Sequence, residues 1–198
     1  MDLFSSDAAL TPIPIEDGEL AFLRQLDIGL GNEEILAQLI AGTAWREETI
    51  TLWGRQFAQP RLTAWQGDKA YTYSGLTLEP APFSPLVQAI KTAVEQACGR
   101  VFNSVLLNYY RNERDSMGMH SDDEAELGPD PAIASVSYGA TRTFLLKHKR
   151  SKRSLKLALT AGSLLLMAGL TQRHWQHGIN KSVQPLTPRV NLTFRFIR

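Results

Sequence analysis

His120-Ser121-Asp122 sets an imidazole and a carboxylate two residues apart, the spacing that turns both side chains to one face of an extended strand. Two imidazoles and one carboxylate are the ligand set of a ferrous iron held on one side and open on the other. A third ligand has to come from His148, His174 or His177, the remaining histidines. His148 lies in Lys147-His148-Lys149-Arg150, where a dication meets repulsion, and is set aside. His174 and His177 are three apart and face opposite ways on extended chain, so both stay open at this point.

Downstream, the stretch from Pro188 to Phe196 alternates strictly. Arg189, Asn191, Thr193 and Arg195 fall on one face and Val190, Leu192, Phe194 and Phe196 on the other. Taken alone, such a strand turns its polar side to water. Beside a metal, the same four side chains make a cradle for an acid, because guanidinium groups grip carboxylates through paired hydrogen bonds. Asn108 and Tyr110, also two apart, can add neutral hydrogen bonds from a neighbouring strand.

The elements that must position these residues follow from pattern and composition. The chain has 198 residues, 43% hydrophobic and 21% charged, enough for one well-buried core in an ordinary soluble domain. A single cysteine, Cys98, excludes an intrachain disulfide and suits a reducing cytoplasmic setting, nucleoid-associated in a bacterium. No basic n-region or long apolar core opens the sequence, so no secretory leader is expected. The largely apolar run 155–170 is too short for a membrane span and contains Gly162 and Gly169, so it reads as two buried strands.

Charge is polarised. Residues 1–50 hold ten acids and two bases, whereas no acid follows Asp130 among twelve Lys and Arg. Such a basic half suits a polyanion. Residues 1–20, acidic and proline-containing, read as a loosely ordered arm, and residues 21–198 as a single domain. A short helix is expected over 32–40, with Asn32 as N-cap and Glu33 and Glu34 in its first turn. Ser84-Pro85 opens a second helix with the stripe Val87, Ile90, Val94 and Ala97, and Gly99 ends it. After Val101 come short strands at 101–110, 132–138, 143–148, 155–160, 163–167 and 189–197. The fold class is α+β, a jelly-roll-like double sheet braced by N-terminal helices.

These motifs, in order, carry a resemblance. Asn108-Tyr109-Tyr110, His120-Ser121-Asp122-Asp123-Glu124, the run from Pro131 to Gly139, His174-Trp175-Gln176-His177 and the run from Pro188 to Arg195 resemble the AlkB family of DNA-alkylation-repair dioxygenases. The likeness covers about residues 48–198 and is greatest to the branch acting on duplex DNA. It implies a double-stranded β-helix and a DNA oxidative demethylase dependent on iron, Fe(II), with 2-oxoglutarate and O2 as co-substrates. It implies His120, Asp122 and His177 as iron ligands, and Asn108, Tyr110, Arg189, Asn191, Thr193 and Arg195 as the 2-oxoglutarate site. Arg189 is the preferred partner of the distal carboxylate. The implied reaction hydroxylates the methyl group of bases such as 1-methyladenine and 3-methylcytosine and releases formaldehyde.

A methylated ring nitrogen inside a stacked duplex is out of reach, so the base has to be flipped out. Residues 48–100 are the portion assigned to nucleotide recognition. Tyr71-Thr72-Tyr73-Ser74-Gly75 resembles the base-recognition strand, with two aromatics on one face, and Glu124 resembles the acid that reads an exocyclic amine. Trp53, next to Gly54, aligns with an apolar finger that fills the gap left by the flipped base. Lys147, Lys149, Arg150, Lys152 and Arg153 form a basic loop suited to phosphates. The expected partner is alkylated DNA, single- or double-stranded, bound by a monomer with no membrane attachment. The rival readings are a demethylase of methylated RNA and a nucleic-acid-binding module with an inactive metal site.

Overall fold

Alternating β-branched and aromatic residues make this chain a succession of strands. The computed structural model describes residues 9–198 except Trp53, Gly54, Ala70, Ser74 and Gly75, with the backbone alone for 50–52, 55–57, 71–73 and 76–78. Ahead of the first helix, β1 (Thr11–Ile13) and β2 (Glu19–Leu23) form a hairpin. Helix α1 (Asn32–Gly42) precedes two more hairpins: β3 (Arg46–Leu52) with β4 (Arg55–Gly67), and β5 (Tyr71–Tyr73) with β6 (Leu76–Leu78). Helix α2 (Pro85–Cys98) leads to β7 (Ser104–Tyr110), β8 (Met117–His120) and β9 (Ile133–Gly139). Then come β10 (Arg142–His148), β11 (Ser154–Leu159), β12 (Leu164–Ala168), the short helix α3 (Thr171–His174), β13 (Trp175–Ile179) and β14 (Arg189–Arg195).

Eight strands form one sheet in the order β1-β2-β12-β9-β14-β7-β4-β3, and four form a second in the order β11-β10-β13-β8. The two sheets pack face to face as a jelly roll. Between them lie Leu106, Ile133 and Leu165 from the large sheet and Phe144, Leu146 and Ile179 from the small one. The outer face of the large sheet is covered by α1 and α2, where Ile35, Leu39, Val87, Ile90 and Val94 meet Val190, Leu192 and Phe194. Val87, Ile90 and Val94 of α2 are fully buried, and each contributes about 2 kcal/mol by leaving water. Ser84 caps α2 by accepting from the Val87 N–H, and Gly99 ends it with φ 61°.

Several expectations are corrected. Strands do not begin at residue 101, for six precede it. The segment read as a loose arm contains β1 and the start of β2, and β2 pairs with β12 through Leu20↔Met167 and Phe22↔Leu165. The apolar alternation in that stretch is short and lies among acids, so its only clear marker is burial in the finished sheet. Asn32 is not the N-cap: Gly31 takes that position, and the Asn32 carboxamide exchanges two hydrogen bonds with Gln25. Phe196 lies past the end of β14 and is 48% exposed, while Ile197 turns inward instead. Among the described residues no helix is long and apolar enough to cross a membrane, and the run 155–170 is divided between β11 and β12.

β14 sits between β7 and β9, and all seven of its residues are buried. At its start Arg189 pairs with Gly139, whose φ is 89°. A Cβ there would collide with the Pro188 carbonyl and crowd Arg189 Cα. Gly139→Ala should therefore cost about 2 kcal/mol, from both the strained backbone and the clash. Thermal denaturation checks this: a fall in Tm of about 4–8 °C is expected, and an unchanged Tm would refute the close approach.

Candidate functional site

β8 and β13 lie side by side with His120 and His177 as Cα partners, which brings their ring centroids to 4.4 Å. β8 ends at His120, so Asp122 reaches the pair from the turn beyond the strand and not from a shared strand face. That turn is pinned at two points. The Asp122 N–H donates to Gln172 Oε1 at 2.9 Å, and Ser121 Oγ donates to the Trp175 carbonyl at 2.8 Å. One ligand atom each from His120, Asp122 and His177 lies within 4.8 Å of the others. His174 stands outside this group, on α3.

Protonation suits metal binding. His120 Nδ1 is 2.9 Å from the Gly118 carbonyl, which only a protonated nitrogen can approach favourably, so Nε2 keeps its lone pair. Burial, then His177, push the His120 imidazole down to about 4, so it is neutral near pH 7. Burial alone would raise the Asp122 carboxyl, but Arg195, His177 and His120 outweigh it and hold the group well below 3.8. Arg195 Nη2 donates to Asp122 Oδ1 at 2.6 Å. Asp122 Oδ2 has no hydrogen-bond partner and lies 3.5 Å from His177 Nε2. The neutral His120 imidazole, the His177 imidazole and an ionised carboxylate in this arrangement fit iron(II).

Beside the trio opens a narrow pocket, walled by Asn108 and Tyr110 of β7 and by Arg189, Asn191, Thr193 and Arg195 of β14. The polar face of β14 thus faces the interior of the protein. Asn191 Nδ2 donates to Ser135 Oγ and the Val136 carbonyl, and its Oδ1 accepts from Thr193, so these two side chains are bonded within the wall. Arg189 differs. It is 1% exposed, donates through Nη2 to Ser137 Oγ at 2.9 Å, and stacks 5.0 Å from the Tyr110 ring centre. Its Nε and Nη1 have no partner. Burial lowers this guanidinium to about 10, still charged at neutral pH. A buried cation with idle donors is unfavourable until an anion meets it, and a carboxylate matches those donors. The pocket therefore fits an organic acid bound next to the metal.

The remaining expected residues are less fully placed. Glu124 is partly buried just ahead of the 3-10 turn Ala125–Leu127. Tyr71 and Tyr73 stand on β5, but their side chains lie outside the described residues, as does Trp53 altogether. Lys147, Arg150, Lys152 and Arg153 are exposed, and Lys149 is partly exposed and lies 3.6 Å from Asp123. Sequence reasoning missed Gln172, Ser135 and Ser137. The two serines were detectable as alternate positions of β9, whereas nothing local distinguishes Gln172.

A second cluster, Asp17, His148 and His174, also gathers ligand atoms within 4.8 Å. His148 Nδ1 accepts from the Arg150 and Ser151 N–H groups, so its ring proton is on Nε2, facing Asp17 at 3.4 Å. A metal at Nε2 would have to displace that proton. Trp175 Nε1 donates to the Glu16 carbonyl, and Arg153 pairs with the Glu16 carboxylate at 3.2 Å. The cluster ties residues 16–17 to the β10–β11 hairpin.

Comparison with known proteins agrees with this geometry. The sequence profile of the 2OG-Fe(II) oxygenase superfamily matches residues 31–195. The chain is 44% identical over 173 residues to "Alpha-ketoglutarate-dependent dioxygenase alkB homolog 3" of Homo sapiens, covering 82% of this chain and 60% of that protein. It is 42% identical over 158 residues to "DNA oxidative demethylase ALKBH2" of Homo sapiens, covering 75% and 60%. The chain thus spans about three fifths of the length of these curated relatives. A solved structure, "The structure of OsALKBH1", superposes with a TM-score of 0.62 over 93% of this chain and 99% of that one; at 17% identity it supports the fold alone.

Asp122→Ala and His120→Ala should separate structural from ligating roles in the metal-free protein. Removing Asp122 takes away the carboxylate beside buried Arg195 and should cost about 3–5 kcal/mol. Removing His120 breaks no ion pair and should cost at most about 1 kcal/mol. Urea denaturation in chelator measures both, and equal losses would refute the ion pair as a structural element.

Proposed function

This chain belongs to the 2OG-Fe(II) oxygenase superfamily and, within it, to the AlkB family, and from that membership we propose that it is an oxidative demethylase of N-alkylated DNA bases. The observation that carries the reading is the buried Arg189 with idle donors, in the pocket beside His120, Asp122 and His177. A protein that only bound nucleic acid would have no use for such a cation.

In this reading His120, Asp122 and His177 hold iron(II). Arg189 and Tyr110 take the distal carboxylate of 2-oxoglutarate, Asn108 and Arg195 add donors, and Asn191 and Thr193 wall the site. Iron with 2-oxoglutarate and O2 supplies oxidation of an N-methyl group, after which formaldehyde leaves the base. The protein's contribution is position and exclusion of water. Arg195 keeps Asp122 ionised and fixes its Oδ1, leaving Oδ2 for the metal. Phe144 stacks 5.2 Å from the His177 ring and shields it.

DNA is favoured as substrate by the name of the ALKBH2 relative and by the basic β10–β11 hairpin. Glu124, two residues past Asp122, is assigned to the exocyclic amine of the flipped base, and Tyr71 and Tyr73 to its π-faces. Within residues 48–100 the two hairpins take this role. Helix α2 packs into the outer core.

Two experiments test the reading. Formaldehyde release from 3-methylcytosine oligonucleotides should require iron(II) and 2-oxoglutarate and vanish in His177→Ala. No release from single-stranded or duplex DNA would exclude the DNA demethylase. Trp53→Ala should lower repair of duplex more than of single strands, since a wedge replaces stacking that only a duplex loses. An equal loss on both would remove the finger.

A further inference from the structure

Arg61, on β4, is 4% exposed and pairs with no acid among the described residues. Its Nε donates to Asn108 Oδ1 at 2.7 Å, across the β4–β7 ladder in which Thr63 pairs with Asn108. Asn108 is 3% exposed and walls the acid pocket. A carboxamide is nearly symmetric in shape, so packing alone does not choose which end faces the pocket. Arg61 does choose. A guanidinium N–H can only donate, so the atom it meets must be the oxygen, and the Asn108 amino group is turned the other way. Among the described residues no hydrogen bond uses that amino group.

We propose that Arg61 is a positioning residue for the acid pocket: it locks the Asn108 carboxamide with its N–H donors toward the carboxylate of the bound acid. The reverse orientation would present Oδ1 and repel that carboxylate. Asn191 shows the contrast. It is the Cα partner of Asn108 on β14, yet its own amide is held by Ser135, Val136 and Thr193. Of two facing carboxamides, one is bonded within the wall and the other is kept open for a ligand by a buried cation. Arg61 also lies on β4, one strand of the hairpin assigned to nucleic acid, so that element meets the wall of the acid pocket at Asn108. The inference rests on the reading of the pocket as a 2-oxoglutarate site.

The test is calorimetric titration of 2-oxoglutarate into protein loaded with Mn(II), which replaces iron without turnover. Arg61→Met and Asn108→Ala should each weaken binding about tenfold or more, the loss expected for a hydrogen bond to a charged group. The double variant should bind no worse than the weaker single, because Arg61 acts through Asn108. Arg61→Lys, which keeps a donor, should recover most of the affinity. Asn108→Asp guards against a folding defect. Its carboxylate keeps the bond to Arg61 and so the melting temperature, but it turns an oxygen in place of the N–H donors toward the acid and should bind at least as weakly as Asn108→Ala. Wild-type protein that binds no 2-oxoglutarate would overturn the pocket reading and this inference together. Wild-type binding with unchanged affinity in Arg61→Met or Asn108→Asp, or losses that multiply in the double variant, would overturn the role of Arg61 alone.

Discussion

A strand that carries four hydrogen-bonding side chains on one face and is buried on both has to find each of them a partner. β14 meets that constraint unevenly, and the site follows from the unevenness. Asn191 and Thr193 bond to each other and to β9, and Arg195 bonds to Asp122. Arg189 retains two idle donors in a closed interior. The opposite face of the strand, Val190, Leu192 and Phe194, is sealed by the two helices, which leaves the polar row facing only the pocket. The helices therefore serve the chemistry without touching it: they force the cradle inward.

Two buried guanidinium groups on one strand face do different work because only one meets a carboxylate of the protein. Arg195 beside Asp122 gives an ionised metal ligand its orientation before any metal arrives. Arg189 lies over Tyr110, with only a neutral serine as hydrogen-bond partner, and its charge awaits a ligand. Arg142, also over Tyr110, is held differently, by hydrogen bonds to the Asp115 and Asn180 carbonyls. The two cations near this ring repel each other, and each is tied to a distinct set of oxygens.

Much of this was legible in the sequence, for identifiable reasons. The alternation of β14 has period two over seven residues, so its polar face could be read, although its direction could not: polarity alone points to water. The His120–Asp122 spacing pointed to two residues that do come together, but through a wrong local picture, since Asp122 approaches from a turn pinned by Gln172 and Trp175. Those partners lie about fifty residues away and carry no local pattern. β4 escaped notice because Pro60, Gln59 and Arg61 interrupt its apolar rhythm. Arg61 reads as a surface cation until the β4–β7 register places it over Asn108. The N-terminal hairpin was missed because its short apolar run becomes a strand only when β12 offers an edge.

The place of β14 in its sheet has a consequence for the order of assembly. It follows in sequence every strand it pairs with, yet it inserts between β7 and β9, not at an edge. Until it arrives, those two strands each present an open row of backbone donors and acceptors, and the outer helices lack Val190, Leu192 and Phe194 from the surface they close against. Such intermediates are the ones that join other chains. A chain growing from its N-terminus thus passes through a stage that has all three metal ligands but neither guanidinium of the cradle, and insertion of one strand both closes the sheet and completes the site.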